Sequence, residues 1–202
     1  MSSLPERIEI LETDLTADPP RISAYHDLPF AIFRYDPSAE FPARKEMLRL
    51  ATRLQNAGRR VRFISLGEIL WKAIRETEGV AAIATEERQL GFERAQTTVA
   101  TLLSDEDFTE LPVELTKRMA KLDPAVDCVF LVRAGALAPA IYRCAKLLDE
   151  LHGRTMVPVV LFYPGTLDGS QQGQSEAVTS LRFMGLQERQ GAGTYNYRVK
   201  IY

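Results

Sequence analysis

Two stretches of this chain, Val126-Asp127-Cys128-Val129-Phe130-Leu131-Val132 and Val157-Pro158-Val159-Val160-Leu161-Phe162-Tyr163, are close to continuously apolar. Successive side chains of a strand point to opposite faces, so a strand wetted on one side alternates apolar and polar residues. These two do not alternate. They must be covered on both faces, and the usual way to cover them is a parallel sheet between two layers of helices. A third run, Val61-Arg62-Phe63-Ile64, has the same β-branched and aromatic character.

The rest of the chain supplies the covering layers. Strand-like segments fall at residues 28–35, 61–66, 126–132, 157–163 and 197–202, and helical patterns lie between them. Ser3 with Glu6 forms a capping box ahead of Leu4, Ile8, Leu11 and Leu15 at helical spacing. Met47, Leu50, Ala51 and Leu54 mark a second helix, which Gly58 ends. Ser65 with Glu68 is another capping box, followed by the stripe Leu66, Ile69, Leu70, Ala73 and Ile74, with Trp71 and Lys72 pointing elsewhere. Further helices fit residues 86–103, 111–122 and 139–152. The expectation is an α/β fold with a mostly parallel central sheet of about five strands flanked by helices. Three helices between the second and third strands read as a helical insertion, residues 68–123, within a single domain spanning 1–202.

Composition narrows the function. The chain has 202 residues, 46% hydrophobic and 26% charged, which disfavours disordered and fibrous architectures. A net charge of −2 exerts no overall pull toward nucleic acid or anionic lipid, so direct nucleic-acid binding is not expected. No apolar run approaches the roughly 20 residues that span a bilayer. The N-terminus lacks the basic-then-apolar order of a signal peptide. Cys128 and Cys144 both fall among apolar residues, as free thiols do in a reducing compartment, and cytoplasm is expected. With two histidines besides, no metal site of the zinc type is expected.

No motif supplies a catalytic residue or a cofactor site. G-x-x-x-x-G-K-[ST] and G-x-G-x-x-G are absent, and Gly191-Ala192-Gly193 follows no strand. G-x-S-x-G and H-E-x-x-H do not occur either. His26 sits in a polar turn, and His152 stands at a helix C-terminus, where a cation has an ordinary structural use. The acidic run Asp105-Glu106-Asp107 precedes a helix, where acids complement the macrodipole. Gly165, Gly169 and Gly173 lie in a polar loop, residues 165–175, with no lysine or helix start to complete a phosphate cradle. Arg59, Arg60 and Arg62, with Arg198 and Lys200, form the densest basic groups and read as solvated.

One constellation is less ordinary. In open α/β sheets, ligands bind beyond the carboxyl ends of the strands. Here those positions hold Arg34, Tyr35 and Asp36, then Arg133 and Gly135, then Tyr163, Pro164 and Gly165. Two arginines and an acid could bind an anion or a partner's carboxylate, or Asp36 could simply pair with an arginine to tie strand ends together. Trp71 adds a second candidate surface on the helical insertion.

Several of these segments, taken in order, resemble the BrxB family, a component of the BREX (bacteriophage exclusion) defence islands. They are Leu28-Pro29-Phe30 through Phe33-Arg34-Tyr35-Asp36-Pro37, Leu131 through Gly135, Val157 through Gly165, Leu181-Arg182-Phe183-Met184, and the closing Tyr197 through Tyr202. The resemblance implies a role in phage defence beside an alkaline-phosphatase-like protein called PglZ, a large ATPase and an adenine DNA methyltransferase. It carries over no catalytic residue. The function expected on that basis is a non-catalytic scaffolding subunit that binds another BREX protein, above all PglZ, with self-association open. The alternative is a degenerate nucleotide-binding or nucleotide-hydrolysing α/β protein of the same system.

Overall fold

The computed structural model describes residues 3–22, 28–167, 180–186, 194–196 and 199–202. His26, Arg198, the Gly191-Ala192-Gly193 turn and the polar loop beyond residue 167 lie outside the described residues. The strands are β1 (Phe30–Tyr35), β2 (Arg60–Ser65), β3 (Asp127–Val132), β4 (Val159–Leu167), β5 (Ser180–Phe183), β6 (Thr194–Asn196) and β7 (Lys200–Ile201). Five of them form the central sheet in the order β2-β3-β4-β1-β7, with every pairing parallel. This is the expected α/β architecture.

Both faces are covered, as the unbroken apolar strands require. Ala31, Phe33, Cys128, Phe130, Val160 and Phe162 are buried under α1 (Leu4–Thr16) and α2 (Glu40–Asn56). Ile32, Val129, Leu131, Val159 and Leu161 point the other way. They pack under α3 (Leu66–Glu76), α5 (Phe92–Ser104), α6 (Leu111–Met119) and α7 (Cys144–Leu151). Burying each large side chain contributes roughly 1.5–3 kcal/mol, so this double coverage is the main source of stability. On the α1–α2 face an aromatic row crosses the sheet. Phe33 and Phe162 have ring centroids 5.4 Å apart, Phe162 and Phe130 5.0 Å, and Phe130 and Phe63 5.6 Å edge to face.

The predicted helix ends fall where their caps place them. Ser3 and Glu6 exchange both capping-box bonds. The Ser65 hydroxyl accepts from the Glu68 amide at 3.2 Å to open α3, but the reciprocal bond of the expected capping box does not form, so Ser65 acts as a simple N-cap. The segment between β2 and β3 holds four α-helices rather than three, because α4 (Val80–Leu90) and α5 are separate. Gly91, at φ 88°, breaks the continuous helix expected over 86–103 in a conformation that disfavours any side chain. The helix expected from 139 begins only at Cys144. The Ile141 and Tyr142 amides both bond back to the Leu137 carbonyl and close a turn first.

β4 runs past residue 163, the last of its expected span, and pairs antiparallel with β5, which pairs with β6. Gly165 therefore lies in a strand rather than opening a loop. A Cβ there would stand 2.4 Å from the Tyr163 ring and 2.6 Å from the Arg182 carbonyl oxygen. β7 makes two residue pairs with β1 and is pinned by α1. Arg7 Nη1 donates to the carbonyls of Arg34 and Tyr202, while Asp14 accepts from Lys200 Nζ and, at 2.7 Å, from Tyr202 Oη.

Candidate functional site

The strand-end residues expected to share a site separate into two groups. Arg34 Nη1 reaches the Gly165 carbonyl at 3.4 Å, and burial holds its guanidinium below the ordinary range, with Asp36 opposing. Tyr163 is buried, with its ring 5.2 Å from that of Phe183. Gly135 faces the Met184 sulfur and Pro164. These residues pack the end of β4 against β5. Asp36 is exposed and caps a 3₁₀ turn, Pro37–Ala39, by accepting from the Ser38 amide at 2.9 Å and hydroxyl at 2.6 Å. Those bonds hold its carboxyl below the usual range, with smaller help from Arg34. Among the described residues no ion pair joins Asp36 to an arginine, so Asp36 does not tie the strand ends together through a salt bridge. Trp71 lies half-exposed on α3.

Arg133 belongs elsewhere. It caps a 3₁₀ turn, Ala134–Leu137, in the left-handed region at φ 59° and ψ 37°. Its Cβ and Cδ pass over Gly67, each 3.7 Å from where a Cβ on that glycine would stand. It is also one of the residues lining a cleft of about 120 Å³ on the α1–α2 face, between α2 and the carboxyl ends of β1, β2 and β3. Phe162, Val132 and Met47 give the cleft apolar walls, and Phe63 and Leu48 stand at its mouth. Its polar members are Tyr35, Glu40, Arg44 and Arg133. Tyr35 Oη donates to Glu40 Oε2 at 2.5 Å, and burial followed by that bond pushes the phenol up, so it stays protonated. Glu40 is thereby occupied. Among the described residues neither Arg44 nor Arg133 has a side-chain hydrogen bond or an ion pair.

Apolar side chains continue outside the cleft. Phe41 is 78% exposed, Leu48 61% and Phe63 43%. On α2 the buried stripe is Ala43, Met47, Leu50 and Leu54, whereas Phe41 and Leu48 are seven residues apart on another line of the helix. Reading the sequence passes over Phe41, Arg44, Leu48 and Phe63. The available signal is that second apolar line, out of phase with the core stripe.

The site suits docking better than chemistry. At about 120 Å³ the cleft is smaller than the roughly 300–1,000 Å³ of small-molecule pockets, and it is the size of a side-chain socket. A broader trough of about 660 Å³ lies on α4 and α5, floored by Ala81, Ala82 and Leu90. Its Glu86 is occupied by Arg94 at 3.2 Å and Thr98 at 3.0 Å. Burial pushes the Cys128 and Cys144 thiols up to about 12, so neither is a thiolate near neutral pH. They are free and belong to different faces of the sheet. Among the described residues no group of three His, Cys, Asp or Glu could hold a metal ion. None of the helices is long and apolar enough to cross a membrane, again among the described residues.

The basic cluster after α2 is spent on the fold. Arg59 donates to the Ala125 and Ala17 carbonyls, and Arg60 and Arg62 flank the buried Asp127 at 2.8 and 3.7 Å.

Compared with known proteins, residues 62–201 match the family described as BREX protein BrxB. A protein of Bacillus cereus (strain H3081.97), named BREX protein BrxB, is 29% identical over 147 residues, 71% of this chain and 74% of that protein. No solved structure matches the chain.

Proposed function

This chain belongs to the BrxB family of BREX defence systems, and we propose that it serves there as a non-catalytic accessory subunit. In this reading it acts in the cytoplasm as one unit, 1–202, and docks onto another BREX protein, the PglZ alkaline-phosphatase-like protein. The observation that carries the reading is the surface at α2 and β2. Phe41, Leu48 and Phe63 expose large apolar side chains around two arginines with no partner of their own among the described residues. Water gains nothing from such a surface, and clusters of this composition recur at the centres of protein interfaces. α4 points the same way, since it contributes no buried residue yet exposes Val80 and Leu90. Within its own chain it packs only Ile83 against the core, part-buried, and covering its exposed side by a partner would stabilise it further.

The test is co-expression with the PglZ-like protein of the same island, followed by size-exclusion chromatography with light scattering. A stoichiometric complex is the expected result. Separate peaks with PglZ and with every other BREX protein of the island would overturn the docking role.

A further inference from the structure

We infer that the cleft between α2 and β2 receives an acidic, apolar segment of the partner protein. One aromatic or aliphatic side chain of that segment enters the cleft, and a carboxylate beside it is held by Arg44 and Arg133. This inference rests on the docking role proposed above and adds the chemistry of the docking partner.

Three independent features lead to it. The first is the aromatic row, which continues from the fully buried Phe33, Phe162 and Phe130 to a Phe63 that remains 43% exposed. A row that stops at a half-wetted ring is completed by one more apolar side chain, and edge-to-face or offset stacking there adds to the gain from burial. The cleft volume of about 120 Å³ admits one such side chain.

The second is charge. Every other arginine of α1, α2 and β2 has a partner: Arg7 takes two carbonyls, Arg49 takes Glu46, Arg53 takes Glu12, and Arg60 and Arg62 share Asp127. Arg44 breaks the rule at the cleft, which Arg133 also lines. The carboxylate within reach, Glu40, is held by Tyr35. Two arginines against the one carboxylate lining the cleft leave it net positive, which complements an incoming carboxylate, whose bonds to guanidinium are the stronger charge-assisted kind. A nucleic-acid backbone would need a line of free cations, and the neighbouring basic run 59–62 is already spent.

The third is conformational. Arg133 holds a left-handed backbone that is strained for a side-chain-bearing residue and free for glycine. Glycine would fill the turn without that cost, but it would leave no cation at the cleft.

The experiment uses the full chain as bait for the BREX proteins of its island, in parent form and as R44E/R133E, L48E and the distant control K121E. Arg44, Arg133, Leu48 and Lys121 are all exposed, so folding is checked by circular dichroism and thermal melting. A photo-crosslinking residue at position 48 then identifies the partner peptide by mass spectrometry. The inference expects roughly tenfold or greater weakening for R44E/R133E and for L48E, no change for K121E, and a cross-linked peptide with Asp or Glu beside an apolar residue. A complex that forms equally well with all variants, or a cross-link to a basic peptide, overturns the cleft assignment and leaves the docking role standing. Capture of no BREX protein overturns both. If R44E/R133E abolishes retention of a DNA duplex but not of the protein partner, the cleft is a nucleic-acid site and the inference is wrong.

Discussion

Gly165 and Gly135 were equal candidates as strand-end glycines, but their surroundings rank them differently. A Cβ at Gly165 would overlap both the Tyr163 ring, at 2.4 Å, and a backbone carbonyl of β5, at 2.6 Å. Tyr163 is wholly buried, with its ring against that of Phe183 at a 47° tilt, so it yields only at the expense of the core. Gly165→Ala should therefore destabilise the protein by about 3 kcal/mol, at the upper end of overpacking costs. At Gly135 the nearest atom to an added Cβ is the Met184 sulfur at 3.4 Å, the flexible end of a side chain. Gly135→Ala should cost less than about 1 kcal/mol. Urea unfolding midpoints of the two variants measure the contrast, and equal midpoints would refute the assignment of Gly165 to a close backbone crossing. Both glycines thus act through packing, which leaves Tyr35 and Arg133 as the strand-end residues that line the cleft.

At the scale of elements, the weakest strand is held by the first helix. β7 pairs through Lys200 and Ile201, and a strand that short does not hold its place by ladder bonds alone. α1 supplies the rest through Arg7 and Asp14, across a separation of 186 residues between Asp14 and Lys200. Tyr202 is pushed up by burial and then by its bond to Asp14, so its phenol remains a donor. Asp14→Asn should cost about 2 kcal/mol, the range for hydrogen bonds to a charged group, since Lys200 keeps 38% of its side chain in water and the ion pair is screened. It should also raise amide exchange at Arg34 and Tyr202, whose N–H groups bond across the β1–β7 seam. Unchanged exchange would mean that α1 does not hold β7. This element shows where reading a sequence stops. Runs such as 157–163 announce themselves, because burial on both faces removes every polar residue from a strand. β5 and β6 are short, lie next to polar sequence and carry no period, so they are visible only through the pairing of β5 with β4 and of β6 with β5. The break at Gly91 is written in the chain, but a glycine inside an otherwise helical pattern is compatible with a continuous helix as well.

At the scale of the whole molecule, the sheet with two helical layers was legible and the cleft was not, for one physical reason. Apolar period is local, whereas the cleft joins residues 35–48, 63, 132–133 and 162, and Arg44 looks like any solvated helix residue until the fold brings Arg133 to the same cleft. The same layering isolates the two thiols. Cys128 belongs to the α1–α2 core and Cys144 to the opposite one, and burial pushes each from an ordinary 9.0 up to about 12. A group whose folded pKa is raised binds more protons in the native state than in the unfolded state between the two values. Its stabilising contribution is complete below pH 9 and is lost as pH rises toward 12. Each thiol should lower the unfolding free energy by up to about 1.4 kcal/mol per pH unit in that window. Tyr35, Tyr142 and Tyr202, all pushed up by burial, act in the same direction from about pH 10. Urea midpoints at pH 8, 9.5 and 10.5 should therefore fall steadily, and a Cys128→Ala/Cys144→Ala variant should lose less between the first two, where tyrosine ionisation contributes little. In parallel, a thiol-specific reagent should leave both cysteines of the native protein unmodified and react with both after unfolding. A double variant with the parent's pH slope, or a native thiol that reacts at once, would place that cysteine in contact with water and outside the core to which its layer assigns it.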